Sequence, residues 1–100
     1  MNPVELSNLV TREDGETRGR YVVVIDGHEA ELTYAKLGDS GNVIADHTGV
    51  PEELGGRGVG SALVRYLVED ARTSGFRIMP LCPFVKALYQ KNPEWADVML

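Results

Sequence analysis

Two hydrophobic periods divide the chain. From Tyr21 to Val50, apolar residues alternate with polar ones or form short β-branched blocks; from Val59 onward they recur every three to four residues. The block YVVVI (21–25) and the alternating AELTYAKL (30–37) and VIADHTGV (43–50) each predict a strand. Asp26-Gly27 stands between the first two, and predicts a two-residue hairpin turn whose central residues both need positive φ. LSNLVTRE (6–13) predicts a weaker strand, joined to Tyr21 through Asp14-Gly15, and DSGN (39–42) predicts a turn. Short connections make the four strands an antiparallel meander.

The second half changes register. Ser61, Arg65, Glu69 and Arg72 fall on one helical face and Val59, Leu63, Tyr66 and Leu67 on another, which predicts a helix over 57–73. Ser74-Gly75 ends it, glycine being the usual residue past a helix C-terminus. RIMPLC (77–82) predicts a fifth strand and PFVKALYQK (83–91) a final helix, with Pro83 at its first position, where a missing N–H costs nothing. Asn92-Pro93 stops that helix. A strand–helix–strand crossover is right-handed and joins parallel strands, so the fifth strand should lie parallel to the fourth. Pro80 conflicts with a central strand, because proline cannot donate to a ladder. The conflict disappears if the fifth strand is an edge or splays from its neighbour. The pattern implies one α+β domain spanning residues 1–100: a four-stranded antiparallel meander, a loop–helix crossover, a parallel fifth strand and a C-terminal helix.

Composition removes several functions. At 43% apolar and 25% charged, the chain is ordinary for a folded soluble protein. No apolar run approaches the roughly 20 residues that span a bilayer, and the first twenty residues lack the basic and apolar regions of a signal peptide. A membrane partner is therefore not expected. A single cysteine provides no internal disulfide, which fits a reducing, cytoplasmic setting. The net charge of −5 and the scattered basic residues argue against a nucleic-acid partner. Two histidines and one cysteine at these spacings suggest no metal site. A small anionic ligand remains open, since a few backbone N–H groups bind one locally whatever the net charge.

Such a site is suggested by VPEELGGRGVGSALV (50–64), where four glycines among six residues lead into the amphipathic pattern. The dinucleotide pattern G-x-G-x-x-G fails: from Gly56 it ends on Ser61, and from Gly58 on Leu63. The pattern G-x-x-x-x-G-K-[ST] fails because no lysine or hydroxyl follows in register. The stretch resembles the acyl-CoA loop of the GNAT acyltransferase superfamily, [QR]-x-x-G-x-[GA], with Gly58 and Gly60 at the two small positions. One departure is Gly55, which stands where Gln or Arg is usual and leaves Arg57 as the nearest cation. CPFVKALYQKNPEW (82–95) resembles the superfamily's second segment, N-x-x-A-x-x-x-Y, with Tyr89 on the tyrosine and Cys82 on the asparagine. Together the two segments are similar to a subgroup of very small GNAT-like N-acetyltransferases of about this length, over roughly residues 18–97. The resemblance implies a V-shaped gap between the fourth and fifth strands, which would also accommodate Pro80.

That resemblance implies acetyl-CoA, or another CoA thioester, as cofactor and an amine as acceptor. The expected cofactor residues are Thr48, Val50, Gly55, Gly56, Arg57, Gly58, Val59, Gly60, Ser61, Cys82 and Tyr89. A pyrophosphate must reach several successive N–H groups at a helix start, and side chains would block it. The helix dipole adds only about 0.3–1 kcal/mol, so the converging donors matter more. The expected catalytic residues are Cys82, His47 and Tyr89. Tyr89 would protonate the leaving thiolate or contact the cofactor; equally, its spacing from Val85 suits a core residue. His47, on the strand feeding the loop, is a reasonable amine base or a half-buried structural histidine; His28, beside the hairpin turn, reads as surface. Cys82 precedes Pro83 and so caps the last helix, where a thiol can be activated to carry the acyl group with help from His47. Its other reading is a small buried hydrophobe.

Two further functions stay open: a non-catalytic CoA or acyl-CoA binding module, and an interaction domain that has lost the cofactor. The segments that shape the acceptor pocket in larger relatives are absent. The acceptor is therefore unreadable, and a homo-oligomer contact could complete the site.

Overall fold

The computed structural model describes residues 3–100 and, for side chains, residues 5–100. Strands β1 (Thr11–Asp14), β2 (Arg18–Ile25), β3 (His28–Lys36) and β4 (Val43–Gly49) form the antiparallel meander, and β5 (Ile78–Pro80) joins β4 in parallel. The sheet order is β1-β2-β3-β4-β5, as the short turns and the crossover require. Asp26 (φ 52°) and Gly27 (φ 78°) both lie in the left-handed region and close the β2–β3 hairpin. Alternation then sets the faces. Tyr21, Val23 and Ile25 of β2, Ala30, Leu32 and Tyr34 of β3, and Val43 and Ala45 of β4 are buried in one core.

That core is covered by α2 (Val59–Ser74), whose buried residues run from Val59 through Leu63 and Leu67 to Ala71. The helix begins two residues later than its periodicity predicts, because Gly58 adopts φ 77° and cannot continue a right-handed helix. It ends on Gly75 in the same left-handed conformation, whose N–H bonds Ala71 O. Helix α3 occupies Pro83–Lys91, as its sequence predicts.

Three segments differ from the sequence pattern. Residues 6–13 are not one strand: Pro3–Ser7 form a short helix, α1, and only Thr11–Asp14 pair with β2. Leu6 and Val10 are buried while Leu9 is 45% exposed. Five residues cannot sustain a helix alone, so packing against α2 decides the matter. Pro93–Val98 form a 3₁₀ segment that buries Trp95 and Val98. Its end returns to the sheet, where Leu100 N–H donates to Ile78 O at 2.8 Å. The fifth strand is also shorter than residues 77–82, ending at Pro80.

Two local features position the site. The first is a β-bulge: Tyr34 opposes Ala45, but Thr33 opposes His47, so Asp46 is an extra residue. Thr33 Oγ1 and Arg18 hold its carboxylate, the latter at 2.7 Å. The bulge reverses alternation, so Thr48 rather than His47 follows Ala45 onto the helix-covered face, opposite Leu32. The second is the end of β5. Pro80 is its last paired residue, opposite Ala45, and the Leu81 and Cys82 N–H groups then converge on Ala45 O at 3.1 and 2.8 Å. Asp46, His47, Thr48 and Gly49 continue β4 without a β5 partner. The two strands therefore part where Pro80 would otherwise break a ladder.

Candidate functional site

A 3₁₀ turn, Glu52–Leu54, leads from β4 into the glycine loop and is anchored by buried Leu54. Gly56 and Gly58 both have φ near 76°, at 75° and 77°. Gly58 caps α2 with no side-chain hydrogen bond. The Ala62 N–H reaches Gly58 O at 3.0 Å, whereas the N–H groups of Gly56, Gly58, Val59, Gly60 and Ser61 meet no acceptor among the described residues. Those donors border a cleft of about 270 Å³. Of the residues expected from sequence, Val50, Gly55, Gly56, Gly58, Val59, Gly60 and Ser61 line it.

The glycines serve different ends. A Cβ on Gly56 or Gly58 would meet nothing within 4 Å, so the left-handed backbone is what selects glycine there. A Cβ on Gly60 would lie 2.8 Å from Phe84 Cζ, and Gly60 therefore lets the first turn of α3 pack onto the first turn of α2. Unused donors, a wall free of side chains and the start of a sixteen-residue helix fit a phosphate group. On these observations the residues present suit the pyrophosphate of a coenzyme.

Arg57 does not line the cleft. Its guanidinium pairs with Asp26 at 2.9 Å, joining the loop to the β2–β3 hairpin tip. His28 stands at the same tip, 39% exposed, with Nδ1 4.0 Å from Glu53. An exposed pair such as Arg57–Asp26 contributes little and exchanges easily.

Past the cleft, the β4–β5 gap brings Thr48 and Cys82 together, with Oγ1 and Sγ 3.5 Å apart. Cys82 is the N-cap residue of α3, as the Pro83 position predicts, but its side chain makes no capping bond and it is only 4% exposed. His47 is exposed and on the opposite face of β4, where its Nε2 would lie 3.1 Å from a Cβ on Gly49. The thiol and the imidazole are thus divided by the strand. Tyr89 is partly buried against the core. Its hydroxyl has no hydrogen-bond partner among the described residues, whereas the Tyr21 and Tyr34 hydroxyls are bound by Asp70 and Asp14.

Sequence reasoning missed Phe84 and Asp26. Phe84 follows Pro83 in the first turn of α3, and being 41% exposed it was legible only as an apolar residue at a helix start. Asp26 was legible as a turn residue, but nothing local linked it to Arg57, thirty-one positions away.

Residues 20–98 match the family described as GCN5-related N-acetyl-transferase. The solution structure of a GCN5-like candidate N-acetyltransferase from Staphylococcus aureus is similar, with a TM-score of 0.65 and 35% sequence identity. The similarity covers 92% of this chain and 89% of that one. No curated protein matches. The matched region contains most of β2, the rest of the sheet beyond it, the glycine loop and both helices around the cleft. The chain belongs to the GCN5-related N-acetyltransferase family.

Proposed function

We propose that the protein transfers an acetyl group from acetyl-CoA to an amine, with the cofactor's pyrophosphate held at the start of α2. The observation that carries this reading is the set of N–H donors between Gly56 and Ser61 that no atom of the described residues satisfies. Those groups would hold the phosphates, with Val50 and Phe84 as apolar walls beside them. Bound acetyl-CoA supplies an activated thioester open to attack by an amine.

The chain's own residues divide the remaining tasks. The backbone from Thr48 to Val50 has no β5 partner and is the proposed donor toward a carbonyl oxygen. Tyr89, whose hydroxyl is uncommitted, is the proposed acid for a leaving thiolate. His47, on the face of β4 away from Thr48 and Cys82, is given no part in the transfer, and the attacking amine loses its proton to solvent. Cys82 is assigned a place beside the reacting groups through Thr48. Because it is buried and separated from His47 by β4, direct transfer is favoured over an acyl-cysteine route.

Calorimetric titration with CoA, followed by thiol release from acetyl-CoA with a panel of primary amines, tests the proposal. Saturable binding is expected, and CoA at 100 times its dissociation constant should raise stability by about 2.7 kcal/mol. Tyr89→Phe should keep its fold and CoA affinity while turnover falls about a hundredfold or more. Binding without transfer to any amine would leave a CoA-binding module. Absence of binding would overturn the proposal and favour an interaction domain. Mass measurement after incubation with acetyl-CoA should find no acetylated Cys82; an adduct that Cys82→Ala removes would restore the acyl-cysteine route.

A further inference from the structure

A second cleft, of about 530 Å³, shares no residue with the cofactor cleft. It lies farther along α2, between the α1–β1 connection and the C-terminal 3₁₀ segment. Its volume falls within the roughly 300–1,000 Å³ of small-molecule sites. Val10 and Val68, both buried, provide apolar surface beside the Trp95 ring.

The polar groups around that surface are Ser7, Asn8, Arg65, Tyr66, Glu69 and the Trp95 indole, one carboxylate among them. Among the described residues Arg65 has no carboxylate within ion-pair distance; Glu69, one turn further along α2, pairs instead with Arg72 at 3.0 Å. The Arg65 guanidinium lies 5.7 Å from the Trp95 ring centroid. Trp95 is 4% exposed, and its indole N–H, with no acceptor among the described residues, keeps its access to solvent. Tyr66 packs edge-on against Tyr21, with ring centroids 5.6 Å apart, and its hydroxyl is likewise uncommitted. The indole N–H thus opens on the cleft beside the Arg65 guanidinium.

We infer that this cleft binds a small organic carboxylate with an apolar or aromatic body. One planar guanidinium matches one carboxylate. The Trp95 N–H and Tyr66 O–H could take the remaining oxygen lone pairs, while the ligand's body covers Val10, Val68 and the indole. The inference does not depend on acetyl transfer, because no group in the cofactor cleft takes part.

Trp95 is the single tryptophan of the chain, so its emission reports on this cleft directly. The test is titration with 3-phenylpropionate and with hexanoate, using 3-phenylpropionamide as the uncharged control. A saturable change with half-saturation below about 1 mM is expected for at least one carboxylate, with the amide about tenfold weaker or more. Arg65→Gln, at an exposed helical position, should weaken the carboxylate about tenfold while leaving the unfolding midpoint in place. Tyr66→Phe gives a second, milder loss. No saturable change with either carboxylate, an equal response to the amide, or undiminished affinity in Arg65→Gln would overturn the assignment.

Discussion

A methyl group on Gly58 would meet no protein atom within 4 Å, yet φ of 77° still selects glycine. Gly58→Ala should therefore fold but lose about 1–2 kcal/mol, the penalty for an ordinary residue in left-handed backbone. Gly58→Asn should recover much of that stability, because asparagine tolerates this conformation. Both should bind CoA at least about tenfold more weakly, since a side chain now stands beside the N–H groups proposed to hold its phosphates. Chemical unfolding and CoA calorimetry on the two variants separate backbone strain from obstruction of the cleft. Asp46 has the opposite character. Burial disfavours its charge, but the Thr33 hydroxyl and Arg18 outweigh burial and hold its pKa below the usual carboxylate value. Those bonds stabilise the bulge, and the bulge decides which of His47 and Thr48 faces Cys82. No local rule placed that extra residue at position 46.

At the scale of elements, the strongly periodic segments were legible and the short dependent ones were not. Helices α2 and α3 and the β2–β3 hairpin each have an internal reason to form: an apolar face, a proline at the first position, or an Asp-Gly turn. Helix α1 and the 3₁₀ segment Pro93–Val98 exist because they cover α2, a surface distant in sequence. Their stability should therefore be tied to one or two buried side chains. Leu6→Ala should lower global stability by about 2–5 kcal/mol. Amide exchange should rise first through Glu5–Leu9, while the sheet keeps its protection until global unfolding. Equal loss of protection throughout would show that α1 is not a separable unit.

For the whole molecule, Arg12 links β1 to α2. Its guanidinium donates to the Tyr34 hydroxyl and to Asp70, each at 2.9 Å, and packs over the rings of Tyr21, Tyr34 and Phe76. Tyr21 O–H donates to Asp70 at 2.7 Å, and Tyr34 O–H donates to Asp14. Stability should depend on pH at both extremes. Burial, then the bond to Asp14, raises Tyr34 from 10.0 to about 12, and burial with the Asp70 bond raises Tyr21 further. Their protonated forms are favoured by folding, so this contribution is complete below pH 10.0 and is lost as pH climbs through about 12. On the acid side, the bonds from Tyr34 and Lys36 lower Asp14, and Arg72 lowers Asp97. The folded state holds these protons less tightly than the unfolded chain. That contribution is complete above the ordinary value of 3.8 and disappears as pH falls through the depressed values. Tyr34→Phe should flatten both limbs of a stability–pH curve; a curve of unchanged shape would remove this network as their source.

The meander, the parallel crossover, the glycine loop at the head of α2, and Cys82 as the residue before α3 were all legible along the chain. Each depends on periodicity, turn chemistry or a motif contained within a few neighbouring residues. The bulge in β4, the turn of Arg57 to Asp26, the closure of Phe84 on Gly60, and the placing of His47 and Cys82 on opposite faces came from the folded molecule alone. These outcomes depend on register and packing between segments far apart in the chain. A one-residue shift in a strand exchanges the faces of every side chain beyond it.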